Sequence, residues 1–258
     1  MRKKLIIISL GLVASSLFAQ GPGRHIGERG DFALVRAEFG MSNKVVQGAP
    51  YSAQATTQFT QTLANGDHIQ RTTTALVTRD SQGRTRTERS FGAIGALSAG
   101  PGAGRTVMIF DPVAGKSYVL DPESKTARST EVPASRLPNA KTRPAHNLTS
   151  AKTEDLGTQV IQGVTAQGTR VTRAIPAGQE GNEKEIDIVT EIWHSADLQA
   201  VVMSKTSDPR YGESVYQLTG ITRTEPDPAL FVVPSDYTVK EGRAFSGGPM
   251  HQRPTAAQ

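Results

Sequence analysis

The 258-residue chain contains no cysteine and a single tryptophan, and aromatic residues make up only 5% of it. Without cysteine it holds no disulfide and no thiol nucleophile, and it cannot be lipid-anchored through a cysteine at a cleavage site. Long apolar runs are equally scarce. After residues 5–13 no stretch approaches the roughly 20 apolar residues that a membrane-crossing helix needs. Catalytic signatures are missing too: the five histidines, His25, His68, His146, His194 and His251, are scattered singly. None forms a His-x-x-x-His pair, and no Gly-x-Ser-x-Gly elbow occurs.

What is present at the N-terminus sets the compartment. Met1-Arg2-Lys3-Lys4 is basic, residues 5–13 are apolar, and Ala14-Ser15-Ser16-Leu17-Phe18-Ala19 is a small-residue exit. This is the pattern of a secretory signal peptide cleaved after Ala19, which implies export to the periplasm or the extracellular space and no membrane span after cleavage. Three of the 29 basic residues fall in this segment, which leaves 26 against 24 acidic ones in the 239 residues that remain. A balance of +2 lacks the concentrated basic face with which nucleic-acid binders meet phosphates, so nucleic acid is excluded as a partner.

Beyond a glycine-rich arm, in which 32–39 would place Phe32, Val35 and Phe39 on one side of a short helix, the chain reads as strands and turns. Ala53, Ala55, Thr57 and Phe59 alternate with polar residues, and Asn65-Gly66 offers a two-residue hairpin turn. That turn would set Leu63 opposite His68, Phe59 opposite Thr72 and Ala55 opposite Leu76, with His68 packing on a weakly apolar face. A turn at 80–83 leads to Arg84, Arg86 and Arg89 in a strand, a stripe that is either a solvated ion-paired face or an anion-binding patch. Residues 99–106, Ala-Gly-Pro-Gly-Ala-Gly-Arg-Thr, imitate a phosphate loop, but a strand follows where a helix should, so 92–104 is read as a mobile glycine-rich loop. Strands at 106–110, 116–120 and 125–131 then form a meander, with Asp111-Pro112 and Asp121-Pro122 opening its turns. Asp111, Asp121 and Glu123 sit in separate turns without a calcium loop, so no metal site is assigned.

Three prolines and several basic residues mark 133–144 as a linker, and Asn147-Leu148-Thr149 matches a glycosylation triplet. The two β-rich halves on either side are long enough to share one sheet. In the second half, strands are expected at 156–164, 166–175, 186–194, 200–206 and 213–223. A helical turn near Pro228 and an edge strand at 234–239 follow. Ile186, Ile188 and Ile192 alternate with Asp187, Val189 and Trp193. Trp193-His194-Ser195 is the most tempting catalytic cluster, weighed against a role as a landmark where a strand enters a turn.

Three motifs in order, Leu-Gly-Thr-Gln-Val-Ile-Gln-Gly at 156–163, Thr-Glu-Ile-Trp-His-Ser at 190–195 and Asp-Pro-Ala-Leu-Phe-Val-Val-Pro-Ser-Asp-Tyr at 227–237, carry a family resemblance. The series is similar to the C-terminal half of periplasmic proteins of the outer-membrane lipoprotein carrier and lipoprotein-sorting family. The resemblance implies an incompletely closed antiparallel barrel whose concave side holds acyl chains in carrier members. The partners it implies are a lipid or lipoprotein ligand, or an envelope protein.

The expected fold is therefore mainly β, a curved antiparallel sheet or incompletely closed β-barrel with a few short helices. The expected layout is a signal peptide at 1–19, a flexible arm at 20–50, one β-rich domain at 51–239 and a disordered tail at 240–258. The domain's halves, 51–131 and 154–239, are joined by a linker at 132–153. No catalytic, cofactor-binding or metal-binding residue is assigned, and no cofactor. The expected role is a non-enzymatic envelope protein binding or carrying an apolar ligand or a protein partner. The alternative is an interaction module without a small-molecule site, with a hydrolase third.

Overall fold

A computed structural model describes residues 45–90, 105–132 and 151–242. The expected signal peptide, the helix at 32–39, the glycine-rich loop, the prolyl stretch, the Asn147 triplet and His25, His146 and His251 lie outside these residues. The first half forms β1 (Tyr51–Thr62), β2 (His68–Arg79), β3 (Thr85–Ser90), β4 (Arg105–Asp111), β5 (Lys116–Asp121) and β6 (Thr126–Glu131). The second half forms β7 (Ala151–Ile161), β8 (Val164–Ile175), β9 (Ile186–Ser195), β10 (Ala200–Asp208), β11 (Gly212–Thr222) and β12 (Thr238–Glu241). Among the described residues the helical element is one 3-10 turn, Pro228–Phe231, where a few short helices were expected. β7 takes up residues 151–153 of the expected linker, and β12 takes up residues 240 and 241 of the expected tail.

All twelve strands belong to one sheet, in the order β12-β6-β5-β4-β3-β2-β1-β11-β10-β9-β8-β7. β1–β6 and β7–β11 are each an antiparallel meander, and the two join where β1 pairs with β11. The sheet is open, with β7 at one edge and β12, parallel to β6, at the other. The mainly β, mostly antiparallel architecture is the one expected from the alternation of the sequence, and its open edges agree with the incompletely closed sheet that the resemblance implies.

Directly opposed residues share a face, so register sorts the side chains. Ala55 lies opposite both Ala75 and Leu218, and Ala53 opposite Val77. With Tyr51, Val202, Tyr216 and Trp193 they form the larger core. On β4–β6 the other face is buried: Val107 opposes Leu120, Leu120 opposes Ala127, and Ile109 and Phe231 complete a second core. Val107 shares its face with Glu88 and Leu76 rather than with Ala75. The two cores therefore sit on opposite faces of the same sheet.

The β1–β2 register differs by one residue from that of a two-residue Asn65-Gly66 turn. Thr62 opposes His68, Phe59 opposes Arg71, and Leu76 opposes Gln54. The turn is wider: Gly66 N donates to Leu63 O at 2.9 Å and Leu63 N to Asp67 O at 2.8 Å, while Gly66 alone takes positive φ, at 89°. Asn65 is used through its side chain, whose Oδ1 accepts from Asp67 N at 3.1 Å. The reason is burial. The observed register puts Ala75 and Val77 opposite Ala55 and Ala53, on the face of the larger core, and fully burying a residue of valine size is worth about 1.5–3 kcal/mol. As a consequence His68 is exposed and bonds Thr62 Oγ1 at 3.1 Å, instead of packing as expected.

A comparable override places Trp193. Of the alternating isoleucines Ile188 is buried, yet Trp193, from the opposite set, is also buried at 8% exposure. Between Val201 and Met203 the β9–β10 register shifts by one residue, a bulge on β10, while β9 alternates without a break against β8, so Trp193 and Ile188 are buried on opposite faces. Trp193 lies opposite Gly168, where a Cβ would come within 2.7 Å of the indole Cη2 and Cζ3. Glycine is required there by close approach rather than by backbone angle.

Arg79 ties the ends of the larger core together. Its Nε and Nη2 donate to Ala49 O at 3.0 and 2.8 Å, and Nη2 also donates to the Leu198 carbonyl in the β9–β10 turn. In a flat sheet β2 and β10 would stand about 14 Å apart. The bond to Leu198 therefore shows that the β9–β10 turn is folded over the face carrying Arg79. Burial pushes the Tyr51 hydroxyl above its ordinary pKa, partly offset by the guanidinium stacked 4.8 Å from its ring.

Trp193→Ala is expected to destabilise the chain by about 3–5 kcal/mol and Gly168→Ala by about 1–3 kcal/mol through overpacking. His194→Ala, on an exposed side chain, should stay within about 0.5 kcal/mol. Urea unfolding followed by far-ultraviolet circular dichroism checks all three, and a neutral Gly168→Ala would refute the close-approach account.

Candidate functional site

After β11 the chain crosses the β4–β6 face as a strap, residues 223–237, before pairing as β12. Glu225 accepts from Ser81 N at 3.1 and 3.2 Å and from Ser81 Oγ at 3.0 Å. Asp227 caps the 3-10 turn, its Oδ1 accepting from Ala229 N at 2.9 Å, and Pro228 begins the turn with its φ already fixed. Phe231, 2% exposed, is the one strap residue wholly seated in the second core, on Val107, Ile109, Leu120 and Ala127. The Arg84 guanidinium lies 5.0 Å from its ring. Arg86 donates to Leu230 O at 2.9 Å, and Lys125 Nζ to Asp236 Oδ2 at 2.8 Å.

Beside Phe231 lies an open cleft of about 320 Å³, walled by Tyr118, Val232, Val233 and Val239, with Asp111, Lys116 and Glu241 at its rim. Val232 and Val239 are 57% and 51% exposed. The cleft is thus a wettable apolar surface with mixed charge around it, suited to holding an apolar side chain or chain segment rather than to proton transfer. A second cleft of about 210 Å³, on the same face over Leu76, has Glu88 and Arg105 in its lining.

The arginine stripe resolves as ion pairs. Arg84 Nε meets the buried Asp80 at 2.6 Å, Arg86 meets Glu88 at 2.8 Å, and Arg105 also meets Glu88. The cations singled out at Arg84 and Arg86 are consumed by carboxylates, so the anion-patch reading of these residues falls. Asp111 Oδ1 accepts from Val113 N and Ala114 N, both at 2.9 Å, and Asp121 Oδ1 from Glu123 N at 3.0 Å. These are turn carboxylates, and among the described residues no three histidine, aspartate or glutamate side chains gather as metal ligands.

The Trp-His-Ser cluster is separated by its own strand. Trp193 and Ser195 are buried and His194, between them, is exposed. Ser195 Oγ accepts from Leu198 N at 3.4 Å and so closes the turn. A strand alternates its side chains, so His194 and Ser195 point apart and do not form a base–nucleophile pair. The strap cleft was missed by sequence reading. Its one signal was the apolar Leu230-Phe231-Val232-Val233 run directly after a proline-bounded turn.

No protein-family model matches the chain, and no curated protein matches it. Solved structures of similar fold do exist. The MucA/MucB complex of Pseudomonas aeruginosa aligns with TM-score 0.46 at 14% identity, over 80% of this chain and 62% of that one, under two thirds of its length. An uncharacterized conserved protein of Thermus thermophilus aligns with TM-score 0.43 at 11% identity, over 83% of this chain and 99% of that one. A LolA superfamily protein of Nitrosomonas europaea aligns with TM-score 0.32 at 10% identity, over 78% and 97%. No helix of the described residues is long and apolar enough to cross a membrane.

The exposed tether of the strap titrates in a defined window. The hydrogen bond from Lys125 holds the Asp236 carboxyl below its ordinary value of 3.8, and the same bond holds Lys125 above its ordinary 10.5. A depressed carboxylate stabilises above its unfolded pKa and loses that contribution as pH falls through the lower folded value. A raised lysine loses its contribution as pH rises through the higher one. Protection of the residue 238–241 amides is therefore expected to hold steady between about pH 5 and 9 and to drop below the carboxylate range. Hydrogen exchange across that range checks this, and Asp236→Asn should remove the acid step.

Proposed function

We propose that this chain is an exported, non-enzymatic binding protein of the cell envelope, and that it holds an apolar segment of a protein partner against its sheet. The observation that carries the reading is the apolar strap cleft, where Val232 and Val239 stay exposed beside the buried Phe231. The larger core argues against an enclosed lipid there, because that face is filled by the chain's own Ala55, Val77, Val202, Leu218 and Trp193. Export rests on the basic, apolar and small-residue pattern of residues 1–19. The non-enzymatic part rests on the separation of His194 from Ser195 and on the ion-paired state of Arg84 and Arg86.

A second reading, carriage of a lipid or lipoprotein, is favoured by the carrier-like motifs at 156–163, 190–195 and 227–237. One preparation distinguishes the two. Protein recovered from the periplasm of an expressing bacterium should begin at Gln20 by N-terminal sequencing, and native mass spectrometry should give the polypeptide mass alone. A co-purified amphiphile would overturn the first reading in favour of the second. A protein retained with its first 19 residues would refute export. Turnover of ester, phosphate or glycoside substrates would refute both.

A further inference from the structure

The strap itself shows what the site is built to take. β12 is the one parallel strand among the described residues, joined to β6 in a sheet whose other pairings are antiparallel. It is four residues long with every side chain exposed. Parallel pairing is slightly weaker per residue, and a short edge strand has little else to hold it. The remaining anchors are the buried Pro226 and Phe231, with Val233 and Tyr237 partly buried against the second core; hydrogen bonds through Glu225, Leu230, Thr238 and Gly242; and the Lys125–Asp236 pair, whose side chains are largely exposed. Such a segment opens locally at far lower cost than the strands beneath it.

We propose that the strap is a built-in occupant of the β6 edge, and that it gives way to an extended polypeptide of a partner, which adds as a parallel strand on β6. The partner segment is defined by what it replaces. It carries an aromatic or large aliphatic residue for the Phe231 seat on Val107, Ile109, Leu120 and Ala127, and an acidic residue five positions later to meet Lys125. Backbone pairing to residues 126–129 of β6 follows, which is strand addition at a sheet edge. Charge complementarity supports the choice of occupant: Lys125 lies at the start of this edge, and the strap meets it with Asp236. The opposite edge is less suited. β7 carries Lys152, Glu154 and Asp155 and a register shift at Gly157, features that discourage strand addition. The inference rests on the partner-binding reading and deepens it.

The test uses the mature full-length chain and a fluorescein-labelled peptide copying residues 226–242. In the wild type the tethered strap competes at high effective concentration. Phe231→Ser weakens the competitor, and the peptide should then bind at least about tenfold more tightly than it binds wild type. Adding Lys125→Glu should remove most of that gain, and a scrambled peptide should not show it. Equal peptide binding by wild type and Phe231→Ser, or equal binding of the scrambled peptide, would overturn the proposal. Hydrogen exchange on the wild type gives an answer that does not depend on a variant folding. The amides of 238–241 should exchange at least about tenfold faster than those of β5, and equal protection would overturn it. Failure here with a polypeptide-only mass in native spectrometry removes this site alone, whereas a co-purified amphiphile removes the partner-binding reading itself.

Discussion

The pairing of β1 with β11 is the constraint on which the remaining architecture depends. Each half of the chain is a meander of local hairpins, and hairpins alone yield two separate sheets, each with two open edges. Joining the first described strand to the last long one converts four edges into two and places Ala55 between Ala75 and Leu218. That contact lets Val77, Val202, Tyr216 and Trp193 enter one core. The pairing spans more than 150 residues of chain, so its loop-closure cost is met only when the face beneath it is buried together.

Burial on opposite faces follows from the same geometry. A single sheet with no helical layer among the described residues covers its apolar side chains by curling or by laying another segment across them. Around β1 and β11 the sheet curls, and Arg79 fastens the β9–β10 turn over that end. Over β4–β6 the strap lies across the face, with Phe231 seated in the second core and Val233 and Tyr237 packed beside it. The cleft is a by-product of that second solution: a thin cover leaves apolar surface at its margins.

Much of the local plan was legible in the residues. Asp-Pro turns, the β4–β6 meander, the β9–β11 hairpins and the proline-bounded turn at 228 follow from turn chemistry and alternation, which act over a few residues. The misreadings each involve a distant contact. Asn65-Gly66 does not make the two-residue turn its composition favours; the register that holds instead puts Ala75 and Val77 in the larger core, with residues of β9, β10 and β11. The two-residue turn with two positive φ angles falls instead at Gln162-Gly163, 49° and 78°, where Ile161 opposes Val164. Trp193 joins the larger core as a sheet landmark should, on the face opposite to Ile188.

The sequence by itself determined the strands, their turns and the absence of thiol chemistry, since each depends on residue type or on neighbours a few positions away. It also placed Trp193-His194-Ser195 on a strand running into a turn, which is enough to send His194 and Ser195 to opposite sides. Only the tertiary structure decided that both halves share one sheet, that its cores lie on opposite faces and that residues 223–241 fold back over β4–β6. Those outcomes are settled by apolar area shared between residues far apart in the chain. No local pattern encodes which of two faces a strand will bury until its neighbours are in place.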